Sequence, residues 1–329
     1  MKLTEFPNYV SESVYDDAIN SMVERLCMEP SVLSVYQIGG VSSPGISDID
    51  LYVIFRDDSS CGLNPLKDLT SVQKYLYVHN LFGISQGDFY KTRKYKFFHN
   101  YTHLFGEKLD VTDDSLPSSV LEVANVQAGL EYLVKMYITM SVQKTYGIIS
   151  TRNLLLNARA LLYDFEYLGI HDGKAIGYIN ELIDWRARWF DSTPSNKLIK
   201  DWFLGFYEEL SNTLESVLAS RNIFLHSHAD LHIAANMKME KSDNFGFMHQ
   251  GITLPSVLAD LGPKYFNIQH RFNRFTFHLP FEDTGIPEGI DDRYELIAGL
   301  TAINSERYPH FVPVPYGLPI FKKPREVAR

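Results

Sequence analysis

The chain has 329 residues, enough for two domains or three small ones with separate cores. Hydrophobic residues make up 45% and charged residues 22%, which argues against disorder, and 40 acidic against 31 basic side chains give a net charge of −9 that disfavours a long polyanion as the main partner. With only Cys27 and Cys61, no apolar leader in MKLTEFPNYVSESVYDD and no run near the ~18 apolar residues a membrane span needs, the expectation is a cytoplasmic protein with no membrane partner. In chain order, Ser11 caps a helix to about Met28 with Val14, Ala18, Met22 and Leu26 on one face. Val32 to Ile38 reads as a strand, Gly39 to Ser47 as a turn-rich loop, and Ile49 to Phe55 as a second strand. Pro65 to Asn80 reads as a helix, and weaker strands are expected around Asp88 to Phe98 and Glu107 to Val111. Pro117 lies in a turn-rich segment that marks a boundary, so residues 1–118 form one domain.

Residues 119–220 change to long helices. Val126, Leu130, Leu133 and Tyr137 make one apolar stripe; Leu155, Ala158, Leu162 and Phe165 make a second; Phe203, Phe206, Leu210, Leu214 and Val217 make a third. A helical bundle buries all three. Residues 221–329 read as an α+β segment with strands at Ile223 to Ile233 and Arg274 to Leu279. Its tail, VPVPYGLPIFKKPR, carries four prolines and is expected to be extended.

The chemistry concentrates in VLSVYQIGGVSSPGISDIDLYVIF, residues 32–55. Alternate strand residues share a face roughly 6.6 Å apart, so Asp48 and Asp50 project together while Ile49 and Leu51 face the core. A divalent cation removes the repulsion between the two carboxylates. Gly39 and Gly40 permit a tight turn with backbone N–H groups close to an anion. Two-metal phosphoryl transfer normally adds a third carboxylate from a neighbouring strand, and Asp110, between Leu109 and Val111, suits that role, with Glu107 and Asp113 as substitutes. Between these acids lies KTRKYK, whose Lys91 or Arg93 and Lys94 or Lys96 either neutralise a triphosphate or an anionic acceptor, or form the solvated face of an edge strand. In HSHADLH, His226, His228, Asp230 and His232 share one strand face but span roughly 20 Å, so at most two neighbours can meet one zinc ion. P-loop, dinucleotide-binding and nucleophile-elbow strings are all absent from the sequence.

The pattern Ile38, Gly39, Gly40, a short loop, Asp48, Asp50 and a later Asp110 resembles the signature of the polymerase-β-like nucleotidyltransferase superfamily, over roughly residues 30–112. The resemblance implies an α+β protein. A small mixed β-sheet catalytic domain flanked by helices would be followed by the helical bundle and by the C-terminal segment, which would serve acceptor binding. It further implies transfer of a nucleoside monophosphate from an NTP to a hydroxyl-type acceptor, with release of pyrophosphate. Asp48, Asp50 and Asp110 would be the catalytic and metal-binding residues, with Mg²⁺ or Mn²⁺ as the cofactor. Gly39, Gly40, Ser47, Lys91, Arg93 and Lys94 would bind the nucleotide. A small-molecule or protein acceptor is expected over nucleic acid. The competing expectations are a binding or regulatory protein that keeps the fold without turnover, and a metal hydrolase built on His226 and His228.

Overall fold

The computed structural model describes residues 1–112, 116–226, 231–315 and 318. Its class is mixed α+β, as expected. The contacts gather into two units rather than three domains, and neither is one stretch of chain. One comprises Asn8–Ala124 with Asp291–Pro315; the other comprises Met1–Pro7, Asn125–Ile290 and, from the C-terminal residues, Leu318. The division near residue 118 therefore falls close to a unit edge. The division at 220 does not, because the segments on either side of it share a unit.

The first unit is built on a four-stranded mixed sheet in the order Phe82–Ser85, Asp50–Phe55, Val32–Ile38, Tyr101–Gly106. Val32–Ile38 runs antiparallel to both its neighbours, and Asp50–Phe55 runs parallel to Phe82–Ser85. The Glu12–Cys27 helix buries Tyr15, Ala18, Met22 and Leu26 against one sheet face, where Val35, Leu51, Val53 and Phe55 meet them. The alternation of the Asp50–Phe55 strand sends Tyr52 and Ile54 to the other face, where Phe89 and Phe98 pack on Tyr52.

The C-terminal residues complete this core. Val312 bridges to Phe82, its N–H donating to the Leu81 carbonyl while its own carbonyl accepts from Gly83. Tyr308 stacks on Phe55 at 4.1 Å between ring centroids, and Phe311 meets the same ring edge-on at 5.0 Å. The helix Glu288–Arg307 that leads to them was not anticipated, although Tyr294, Ile297 and Leu300 recur at helical spacing and are buried.

Three local readings need correction. The helix expected over Pro65–Asn80 contracts to Ser71–Leu76, because it starts at a Thr70–Gln73 capping box and Tyr77 leaves helical geometry. Asp88–Phe98 is not a strand: Gln86–Thr92 is a helix, followed by a tight turn over Arg93–Tyr95. Ser85 starts that helix, its hydroxyl accepting from the Asp88 N–H and donating to the Asp88 carboxylate, an N-terminal signal the strand reading overlooked. The strand expected at Glu107–Val111 lies at Tyr101–Gly106 instead.

In the second unit the helices Ser118–Tyr146 (from Asn125), Thr151–Leu156, Ala158–Tyr167, Lys174–Arg188 and Asn196–Leu218 supply the expected apolar faces. Trp202 is the hub of one contact, 5.9 Å from Trp185 and 4.9 Å from Phe206 between ring centroids. A second mixed sheet has the order Gly246–Gly251, Asn273–Leu279, Met237–Lys241, Leu231–Ala234. The strand expected over Ile223–Ile233 resolves into Ile223–Phe224 and Leu231–Ala234, and residues 227–230 between them lie outside the described residues. The start of the chain is a strand as well, Lys2–Thr4, parallel to Ile148–Ser150. Among the described residues no helix is long and apolar enough to cross a membrane.

Candidate metal centre

Asp50 opens its strand directly opposite Ile38, so the Gly39–Gly40 turn leaves the sheet beside the segment that carries Asp48. Ile49, between the two acids, is buried, and its N–H donates to the Leu76 carbonyl. That pairing holds the residues after the Ser71–Leu76 helix against the start of the strand. It brings in His79, which the sequence reading did not single out. Carboxylate oxygens of Asp48 and Asp50 and a ring nitrogen of His79 all lie within 4.8 Å of one another.

His79 is held in a defined orientation. Its Nδ1 lies 2.7 Å from the Asn80 carbonyl, its Nε2 lies 2.8 Å from Asp50 Oδ1, and its ring packs 5.1 Å from that of Phe82. Partial burial of the ring opposes its charge. The Asp50 carboxylate, the Asn80 carbonyl and the Asp48 carboxylate outweigh that and carry the imidazole up to about 9. The protonated ring therefore acts as the counter-ion of the acids.

The residues fit a divalent cation. Asp50 Oδ1 is shielded from solvent and faces His79 Nε2 at 2.8 Å, so a cation would take the place of the proton between these two ligand atoms. The Asn80 carbonyl holds the proton on Nδ1, which leaves Nε2 as the ligand nitrogen, the usual outer-shell arrangement of a metal-binding histidine. Two carboxylates suit Mg²⁺ or Mn²⁺, and the added nitrogen leans toward Mn²⁺.

Asp110 is not in this group. Its side chain accepts from the Thr112 N–H at 2.9 Å and lies 3.2 Å from an Arg93 guanidinium nitrogen, while its carbonyl accepts from the same Arg93 group. Thr112 and Arg93 hold the exposed carboxyl below its usual range. The cause is the chain path: the strand ends at Gly106, so Asp110 lies in the following segment and folds over its own turn. Of its proposed substitutes, Glu107 lies just past that strand end, and Asp113 lies outside the described residues.

The expected nucleotide-binding residues divide in the same way. Gly39 adopts a positive φ of 67°, which favours glycine, but its N–H already points to the His99 and Asn100 carbonyls. A Cβ at Gly40 would meet nothing within 4 Å, so the space above the turn is open. Ser47 is buried and structural: its hydroxyl accepts from the Ser43 N–H and its carbonyl from the Tyr15 hydroxyl. Lys91 pairs with Asp88 at 2.8 Å, Arg93 pairs with Asp110, and Lys94 lies over the Tyr95 ring. Of HSHADLH, His228 and Asp230 lie outside the described residues. No family model matches the chain, and no curated protein matches its sequence.

Proposed function

We propose that this protein binds a nucleoside triphosphate with Mg²⁺ or Mn²⁺ at Asp48, Asp50 and His79, and transfers the nucleoside monophosphate to a hydroxyl-type acceptor. The carrying observation is the convergence of those three side chains beside the Gly39–Gly40 turn, at the end of a small mixed sheet. The acceptor oxygen would bond to the α-phosphorus as the bond to the bridging oxygen breaks. Pyrophosphate leaves with that oxygen, and the acceptor proton passes to a carboxylate of the site or to water. A bound cation would neutralise the triphosphate and orient it. The chain's own contribution is positioning: strand pairing holds Asp50, the Ile49 N–H bond to the Leu76 carbonyl holds the segment beside Asp48, and the open space above Gly40 admits phosphate. Net charge −9 favours a small-molecule or protein acceptor over nucleic acid, and the two unpaired cysteines accord with a cytoplasmic setting.

The test is the full chain melted with each of the four NTPs, with and without Mg²⁺ or Mn²⁺. A ligand selective for the native state at 100 times its dissociation constant adds about 2.7 kcal/mol, a rise of several degrees. That rise should need the metal and should vanish in Asp50→Asn. Failure of every NTP with both metals refutes the reading.

A second reading, a nucleotide-binding protein without turnover, is favoured by one observation: Asp110 is engaged by Thr112 and Arg93 instead of joining the trio. Metal-dependent NTP binding with no pyrophosphate release across hydroxyl acceptors would select it.

A further inference from the structure

The second unit contains a cavity of about 360 Å³ that the nucleotide reading does not use. At liquid density that volume equals about 12 waters. Its wall is mainly hydrocarbon, from Ile138, Val142, Ile148 and Phe266 among others, and water there would find few partners.

Its polar groups are few, and most are already engaged. The Thr4 hydroxyl donates to the Ile149 carbonyl at 3.2 Å, and the Thr139 hydroxyl to the Lys135 carbonyl at 2.9 Å. The Ser150 hydroxyl donates to Glu5. Lys135 is the one charged side chain among the described lining residues; its ammonium lies 5.1 Å from the Tyr132 ring centroid, and burial lowers its basicity, only partly opposed by Asp164.

His270 differs from these. Its ring lines the cavity against Tyr146, 6.0 Å between centroids, and its Nδ1, like the Tyr146 hydroxyl, is buried without a hydrogen-bond partner. Burial lowers its basicity and no charged group offsets this, so the imidazole is neutral at pH 7. Gln143 adds an amide to the same wall.

We infer that this cavity is a binding site for a small uncharged molecule with an apolar body and one hydroxyl group, whose hydroxyl bonds to His270. An anion is disfavoured because the wall is almost wholly hydrocarbon and would leave most of its charge desolvated, and the single ammonium there already lies over the Tyr132 ring. A pure hydrocarbon would leave the imidazole unpaired, and a buried polar group without a partner is costly.

The experiment uses the full chain and three probes of one shape: 4-ethylphenol, ethylbenzene and 4-ethylbenzoate, followed by calorimetry and thermal shift at pH 8. The phenol should bind one to one and raise the melting temperature. Ethylbenzene should bind about tenfold more weakly, the value of one buried hydrogen bond, and the benzoate should not bind. Val142→Phe, which fills the space, should abolish phenol binding; Ile138→Phe serves if that variant does not fold. His270→Phe should remove the preference for phenol over ethylbenzene. The inference is overturned if the phenol fails to bind, if the benzoate binds as tightly as the phenol, or if phenol binding survives the filling substitution.

Discussion

Asp48 and Asp50 carry a pattern that a strand's two-residue period makes visible in the sequence. His79 does not. It stands 29 positions beyond Asp50 in a loop, and only the pairing of Phe82–Ser85 with Asp50–Phe55 and the Ile49–Leu76 hydrogen bond bring it to the acids. The nitrogen ligand makes a distinct prediction about metal choice. Mn²⁺ tolerates an imidazole better than Mg²⁺ does, so the ratio of Mn²⁺ to Mg²⁺ affinity should fall about tenfold in His79→Ala. The ratio is the informative quantity because removing a positive ring affects both metals alike. Calorimetric titration of each metal measures it, and an unchanged ratio would show that His79 is no ligand. Asp164 gives a second prediction, on stability. Burial lifts its carboxyl to about 8, only partly opposed by Lys135, and its Oδ2 has no hydrogen-bond partner. The folded state therefore holds a proton that the unfolded chain releases near pH 4. Between about pH 4 and 8 the native state binds more protons, so Asp164 makes stability fall as pH rises, and the loss is complete above 8. Asp164→Asn should melt higher than the wild type at pH 8.5 and close to it at pH 4, which a series of melting curves across that range would establish.

Glycine and capping residues decide how several segments of the first unit meet. Gly83 sits in the strand bridged by Val312, and a Cβ there would lie 2.9 Å from both the Phe311 and Phe55 rings. Both rings are buried, Phe55 stacked on Tyr308, so neither can yield. Gly83→Ala should cost about 1–3 kcal/mol through overpacking, read as a lower denaturant midpoint with an unchanged slope; a neutral effect would mean that the C-terminal segment does not pack as described. Boundaries in this region were hard to read for a physical reason. The stretch around Asp88 has β-favouring aromatics, yet the Ser85–Asp88 cap commits the backbone to a helix. The Glu12–Cys27 helix and the Val32–Ile38 strand were legible because a strong apolar period and clear breakers agree.

The first unit draws its core from both ends of its sequence range: Tyr308 and Phe311 belong to the same cluster as Tyr15, Leu51 and Phe55. A fragment of residues 8–124 alone should therefore lack a cooperative melt, and joining residues 291–315 to it by a flexible linker should restore one. Circular dichroism on the two fragments decides this; cooperative melting of 8–124 alone would refute the shared core. The expectation of an independent domain over 1–118 failed to include the C-terminal part because apolar residues separated by two hundred positions carry no common period. Local pattern was enough for the α+β class, the first helix, the paired strands and the juxtaposed Asp48 and Asp50, since each depends on neighbours within a few residues. The histidine in the trio, the separation of Asp110 from it, the use of the Gly39 N–H by the backbone and the noncontiguous core all came from chain folding. Each depends on which distant segments share a sheet edge or a buried face, and that is fixed by packing and hydrogen bonding between parts of the chain that no local period connects.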